Sequence, residues 1–256
     1  MDAQEMLTHI AEMTAGCTRC ELQYSRRLAV PGEGPTDARI LLIGEGPGFH
    51  ENVQGRPFVG QAGKLLDELL GSAGLSRADV FITNVVKCRP PGNRDPLPAE
   101  VAACSEYLDC QIEAINPQII ITLGRYSMGK YLPNAKISAV HGQSVWVRGR
   151  LIVPMYHPAA ALHMPSLRPE LERDFARLPE YLAQAANPPA AHSEARSAAA
   201  PAASAPRPAA QPDFLSLFSQ PSPADAEELP ESHGIRETPP DDPPAEPDEP
   251  TQLSLF

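Results

Sequence analysis

The sequence has no apolar run near the roughly 20 residues that a membrane-spanning helix needs. It opens on MDAQEMLTHI, without the basic-then-apolar pattern of a secretory leader. Both absences lead to the expectation of a cytoplasmic protein with no part in a membrane. Cysteine is also scarce, with five in 256 residues. In a reducing compartment that argues against a disulfide framework and leaves the thiols for metal binding or catalysis. Positive charge is in deficit, 21 Lys and Arg against 32 Asp and Glu, but the deficit is local.

From residue 187 onward the chain holds 15 of its 30 prolines and has twelve acidic against three basic residues. Subtracting that excess of nine from the net charge of −11 leaves residues 1–186 near −2. The globular part is therefore nearly neutral. The acidic segment buries too little apolar surface to offset a chain entropy of about 1–2 kcal/mol per residue. Residues 187–251 are read as a disordered tether and residues 1–186 as one domain with ample length for a core.

Within that domain, apolar spacing predicts a helix from Ala3 to Met13 that gives way at AGCTRC. ARILLIGEGPG reads as a buried strand, Ile40 to Ile43, entering a Gly/Pro turn. QAGKLLDELLGSAGL reads as an amphipathic helix stopped by glycine, and VFITNVVKCRPP as a strand closed by prolines. A helix Pro98–Ile115 and strands at QIIITLG and RLIVPMYHP follow. Alternating strands and helices predict an α/β three-layer sandwich around a mostly parallel sheet. Ligands of such sheets sit beyond the carboxyl ends of the strands. That directs attention to GEGPG, NVVKCRPPGNRDP and YHPAAALHMPSLR.

Cys17 and Cys20 form a C-x2-C pair, Cys88 closes the second strand, and Cys104 lies on the next helix. Four thiolates brought together hold either tetrahedral zinc or an iron–sulfur cluster, and spacing alone leaves both open. The separation is unlike a compact zinc ribbon. Cys110 fits the plainer role of a small buried hydrophobe.

GEGPG at residues 44–48, QGRPFVGQAGKLLD at 54–67, NVVKCRPPGNRDP at 84–96 and YHPAA at 156–160, in this order, resemble the motifs of the family-4 uracil-DNA glycosylases. The resemblance covers residues 1–183. It implies that Cys17, Cys20, Cys88 and Cys104 hold a [4Fe–4S] cluster, a structural staple, with zinc the alternative from spacing. It implies a monofunctional glycosylase that flips uracil from single- or double-stranded DNA, hydrolyses its N-glycosidic bond and leaves an abasic site, the first step in repairing deaminated cytosine.

The chemistry of uracil excision agrees with individual residues. A base in a duplex must be flipped into a pocket that stacks its ring and reads its edge. Phe58 reads equally as a core residue or as that stacking face, and the resemblance selects the face. Asn84, ending a strand, offers one donor and one acceptor, matching O4 and N3–H of uracil and mismatching cytosine. The plainer reading is a strand-terminating turn former. His157 would aim a neutral N–H at the uracil O2, where negative charge develops.

The better-known uracil glycosylases have an aspartate where this chain has Gly46. Glu45 is then expected to position water or stabilise the sugar cation, and Glu51 to crowd uracil C5 against thymine's methyl group. Leu162 and Met164 would wedge into the minor groove. His163 stands where the family more often has arginine, and Arg168 is a substitute. Phosphate contacts are expected from Arg56, Lys64, Arg89, Arg94 and Arg125. No motif places a lysine for Schiff-base chemistry. A catalytically weak uracil-DNA or single-strand-binding module is the alternative, given Gly46, and a zinc-stapled structural protein a third reading.

The sequence closes on QLSLF at residues 252–256, nearly repeated as FLSLF at 214–218. QLSLF resembles the pentapeptide by which bacterial repair proteins dock on the sliding clamp. Gln252 would supply a polar edge, and Leu253, Leu255 and Phe256 the apolar filling. The protein is otherwise expected to be a monomer.

Overall fold

The structure, a computed structural model, describes residues 2–189. From residue 190 the expected tether lies outside the described residues, as do residues 214–218 and 252–256. In chain order the elements are α1 Ala3–Ala15, β1 Ile40–Gly44, α2 Phe49–Gln54, α3 Gln61–Ser72, β2 Val80–Asn84, α4 Pro98–Ile115 and β3 Ile119–Leu123. They continue with α5 Arg125–Gly129, α6 Ile137–Val140, β4 Val145–Val147, β5 Arg150–Met155, α7 Pro158–His163, α8 Arg168–Ala176 and α9 Leu178–Ala186.

The sheet order is β2-β1-β3-β5-β4, parallel except for β4, which pairs antiparallel with β5. Every residue of β1, β2 and β3 is buried, as expected of largely apolar strands covered on both faces. Alternation sends Ile40, Leu42, Val80, Ile82, Ile121 and Val153 into one cluster with Leu65, Leu66 and Leu69 of α3 and with Phe175 and Tyr181 of α8 and α9. Truncating a fully buried leucine there, such as Leu66→Ala, costs about 2–5 kcal/mol. On the opposite face the Thr83 hydroxyl reaches Gln111 of α4 at 3.2 Å, and α1 packs outside α4. The result is the expected three-layer α/β sandwich around a mostly parallel sheet.

Local chemistry sets the element ends. Asp2 and Glu5 cap α1 reciprocally, the Glu5 N–H donating to Asp2 Oδ1 (2.8 Å) and the Asp2 N–H to Glu5 Oε2 (2.9 Å). Pro98 occupies the first turn of α4, and the Glu100 carboxylate there accepts from the Leu97 N–H at 2.7 Å. The second strand ends at Asn84, earlier than the apolar run VFITNVVKCRPP suggests. The Val85 and Val86 N–H groups donate to the Gly44 and Glu45 carbonyls at 3.0 and 3.1 Å. The chain here follows the loop after β1, and Cys88 sits four residues beyond the strand.

Candidate active site

The parallel register sets Gly44 beside Asn84, so the loops after β1 and β2 leave the sheet together. Asn84 is 1 % exposed, and its Oδ1 has no hydrogen-bond partner. An orphaned amide oxygen at such depth costs about 1–3 kcal/mol, which a ligand N–H would recover. Gly44 allows the close approach that this arrangement needs. A Cβ on it would stand 2.3 Å from Asn84 Oδ1 and 2.8 Å from the Phe58 ring. Asn84 and Phe58 thus face one another across a glycine that cannot carry a side chain.

Phe58 is buried and holds a left-handed backbone, φ 52°, a conformation costing about 1–3 kcal/mol for a non-glycine residue. Arg77 steadies it, donating through Nη1 to the Phe58 carbonyl (3.1 Å) and through Nη2 to the Pro57 carbonyl (2.6 Å). Glu33 holds Arg77 in turn, at 2.6 Å. The Phe58 ring stacks on His157, with centroids 5.4 Å apart and planes 25° from parallel.

His157 follows β5 at the same sheet end. Its Nδ1 accepts from the Ala159 N–H at 3.1 Å, which leaves the proton of the neutral ring on Nε2. Burial pushes the imidazole down to about 4, with Glu51 opposing, so the ring is neutral near pH 7 and its Nε2–H is a fixed donor. Glu51 accepts through Oε1 from the Val59 and Gly60 N–H groups at 2.8 and 2.9 Å. It therefore braces the Phe58 loop from α2.

Glu45 is pushed up to about 7 by burial and then by the nearby Asp95 carboxylate, with Arg125 opposing. Asp95 and Arg125 are paired. A carboxyl group titrating there is matched to proton transfer at physiological pH. At Gly46 a Cβ would fall 2.8 Å from Val86 Cγ2, so Val86 fills the space an acidic side chain would need.

Cys17, Cys20, Cys88 and Cys104 line one tight cleft beside α1 and α4, together with Arg26, Val86 and Tyr107. Burial raises the thiols of Cys20, Cys88 and Cys104, and neighbouring thiols add to it: Cys17 for all three, Cys20 for Cys88, and Cys88 for Cys104. Cys104 reaches about 11. Donors are already aimed at the sulfurs, with Arg26 Nη1 3.5 Å from Cys88 Sγ and the Lys87 N–H 3.3 Å from Cys104 Sγ. Among the described residues, no group of three or more His, Cys, Asp or Glu side chains is arranged as it stands to hold a metal ion. Cys110 is buried but does not line the cavity.

Leu162 and Met164 are exposed just past His157, with His163 between them. Lys64 is exposed in the first turn of α3. The Arg89 guanidinium lies 5.3 Å over the exposed ring of Phe49. Arg56 is bonded to Glu33 (2.7 Å), Arg94 to Glu100 (2.6 Å) and Arg168 to Glu68 and Glu172 (both 2.8 Å). Sequence reasoning missed Phe49, Arg77 and Lys87. Phe49 adjoins the GEGPG turn and was findable; nothing local marks Arg77 or Lys87 as buried or bonded to the site. No helix among the described residues is long and apolar enough to cross a membrane.

A family model described as the uracil DNA glycosylase superfamily matches residues 31–183. The chain is 50 % identical over 187 residues to a type-4 uracil-DNA glycosylase of Saccharolobus solfataricus, spanning 68 % of this chain and 85 % of the relative. It is 45 % identical over 186 residues to a type-4 uracil-DNA glycosylase of Archaeoglobus fulgidus, spanning 69 % and 93 %. A type-4 uracil-DNA glycosylase of Thermotoga maritima is 46 % identical over 162 residues, spanning 62 % and 84 %. With Asn84, Phe58 and His157 converging at the carboxyl ends of a parallel sheet, the chain belongs to the uracil DNA glycosylase superfamily and, within it, to the type-4 enzymes.

Proposed function

We propose that this chain hydrolyses the N-glycosidic bond of deoxyuridine in DNA, leaving an abasic site for repair. The observation that carries the reading is the buried, unpartnered Oδ1 of Asn84, set against Gly44 beside the Phe58 ring. Uracil N3–H would donate to that oxygen and uracil O4 would accept from the Asn84 amide. Phe58 would stack on the ring. The N1–C1′ electron pair departs with uracil, its charge spreading to O2, where the His157 Nε2–H receives it. Water adds to C1′ and gives its proton to Glu45. Glu51 would close the space at C5 while holding the Phe58 loop. Lys87, bonded to the Asn84 carbonyl, donates to three oxygens. Its protons are committed, which supports hydrolysis without Schiff-base strand cleavage.

The DNA would lie across the exposed face. Leu162 and Met164 would fill the gap left by the flipped nucleotide, with His163 beside the opposite strand. Lys64 and Arg89 would contact phosphates, and Phe49 would offer a stacking face. Arg168 would exchange its exposed carboxylate partners for phosphate, since exposed pairs are worth only about 0–1 kcal/mol, and the exposed Arg56 would turn from the half-buried Glu33.

Cys17, Cys20, Cys88 and Cys104 would hold a [4Fe–4S] cluster, whose contribution is four metal–thiolate bonds tying the N-terminal segment, the loop after β2 and α4 together. A single zinc needs all four sulfurs about 2.3 Å from one point. A cluster takes one sulfur at each corner of a larger body, and four thiols around a common cavity suit that better. Such thiolates persist in the reducing cytoplasm, where the reading puts a monomeric enzyme.

Residues 252–256 would dock on the bacterial sliding clamp. Burying two or three apolar side chains at roughly 1.5–3 kcal/mol each, less ordering costs, predicts micromolar affinity. A tether over residues 187–251 would reach on the order of 45 Å. The activity is tested by incubating a uracil-containing oligonucleotide with the holoenzyme and treating it with alkali. Breakage at the uracil supports the reading; binding without breakage would point to a binding module.

A further inference from the structure

Lys87 is 1 % exposed, yet the reaction as written gives it no part. Its ammonium donates to Thr83 Oγ1 (2.6 Å), the Asn84 carbonyl (2.8 Å) and Gln111 Oε1 (2.7 Å). All three of its hydrogens are used, and all three acceptors are neutral. Taking a cation out of water for neutral partners is costly. The network continues outward: the Thr83 hydroxyl and the Gln111 amide both donate to the Pro31 carbonyl, at 2.8 and 2.7 Å. The backbone of Lys87 is committed as well. Its N–H donates to Cys104 Sγ (3.3 Å) and its carbonyl accepts from the Val30 N–H (2.7 Å).

These bonds converge on one short stretch. β2 ends at Asn84, and the chain must there turn out of the sheet with the Asn84 side chain aimed past Gly44. The carbonyl of that residue is what the ammonium grips. A side chain three residues further on thus fixes the peptide that sets the direction of the base-reading amide. The same residue's amide touches the cysteine cavity.

We propose that Lys87 is a positioning residue for uracil recognition: its ammonium locks the end of β2 so that Asn84 presents its amide to the base, and its backbone joins that turn to the cysteine cradle. The inference rests on the reading of Asn84 given above. It requires no direct contact between Lys87 and DNA.

The test is a double-mutant cycle in the full-length holoenzyme, measuring single-turnover uracil release with enzyme in excess and iron per chain in each variant. Lys87→Met keeps volume and removes the cation. A misplacement on the scale of 1 Å costs about 100-fold, and Lys87→Met is expected to slow release by roughly that factor with iron content unchanged. In the Asn84→Ala background the same change should cost less than about threefold, because there is no amide left to aim. Thr83→Val removes one acceptor at constant volume and keeps the test alive if Lys87→Met does not fold. It should cost about 3–10-fold alone and almost nothing with Asn84→Ala. Equal losses in both backgrounds, or a rate loss that follows iron loss, overturn the proposal. Wild-type holoenzyme run in parallel separates this from the broader reading: no uracil from the wild type refutes the activity, whereas uracil with additive losses refutes only the role of Lys87.

Discussion

If Glu45 takes the proton from water, its titration should govern the acid side of the pH profile. Burial and the Asp95 carboxylate hold it up at about 7. Only the ionised form accepts a proton, so kcat/KM should rise with pH and level off above about 7. Below that, activity should fall roughly tenfold per pH unit, about 100-fold between the plateau and pH 5. His157 cannot produce this limb, because it titrates near 4 and is neutral across the whole window. Glu45→Gln preserves size and removes the base, and is expected to lower the plateau about 100-fold or more and flatten the limb. Asp95→Asn removes the repelling charge and should move the limb to lower pH. The assay is initial-rate uracil release from a short oligonucleotide at subsaturating substrate between pH 5 and 8.5. A limb that stays near 7 in Glu45→Gln, or a wild-type rate independent of pH, would refute the assignment.

Gly44→Ala would push a methyl group into Asn84 Oδ1 and the Phe58 ring. It is expected to lower uracil release at least about 100-fold, with DNA affinity and thermal midpoint measured to separate pocket closure from unfolding. Replacing Cys17, Cys20, Cys88 or Cys104 singly by alanine should lower iron per chain and absorbance near 400 nm, while Cys110→Ala retains both. Undiminished iron in any one of the four removes that ligand. Deleting residues 252–256 should abolish clamp binding in a pull-down titration and leave excision on short oligonucleotides unchanged. Clamp affinity that survives the deletion would dispose of the docking peptide.

The central strands were legible because parallel strands buried on both faces are largely apolar runs, and α4 was legible from Pro98 to Ile115 because proline and an acidic first turn mark its start. α2 was not, since FHENVQ buries only Asn52 and shows no apolar period. β4 escaped because it is a three-residue edge strand with no fully buried position. The end of β2 was misjudged because Val85 and Val86 are apolar for the sake of the loop and the cysteine cavity, and side-chain type does not say which surface a valine covers.

In the candidate site, Asn84 and His157 could be placed at strand ends from the sequence, whereas Phe58 and Glu45 were placed there by the family resemblance. The second task of Glu51 could not be read, because its two backbone donors lie in another loop. Arg77 and Lys87 were invisible for a related reason. A basic residue in sequence reads as exposed and unattached, and only the folded chain shows that Pro57 and Phe58 supply oxygens to Arg77, and Thr83, Asn84 and Gln111 to the buried Lys87.

The most direct measurement of the central claim is the amount of free base released from matched oligonucleotides carrying a single uracil or cytosine, by wild-type holoenzyme and by Asn84→Ala. The account predicts one uracil released per uracil-containing strand, none of the cytosine, and no strand break before alkali. Asn84→Ala should release uracil slower by at least about 100-fold while its DNA affinity stays within about threefold. Cytosine release by the wild type, or a loss of binding in Asn84→Ala that equals its loss of rate, would contradict the reading of Asn84 as the group that recognises the base.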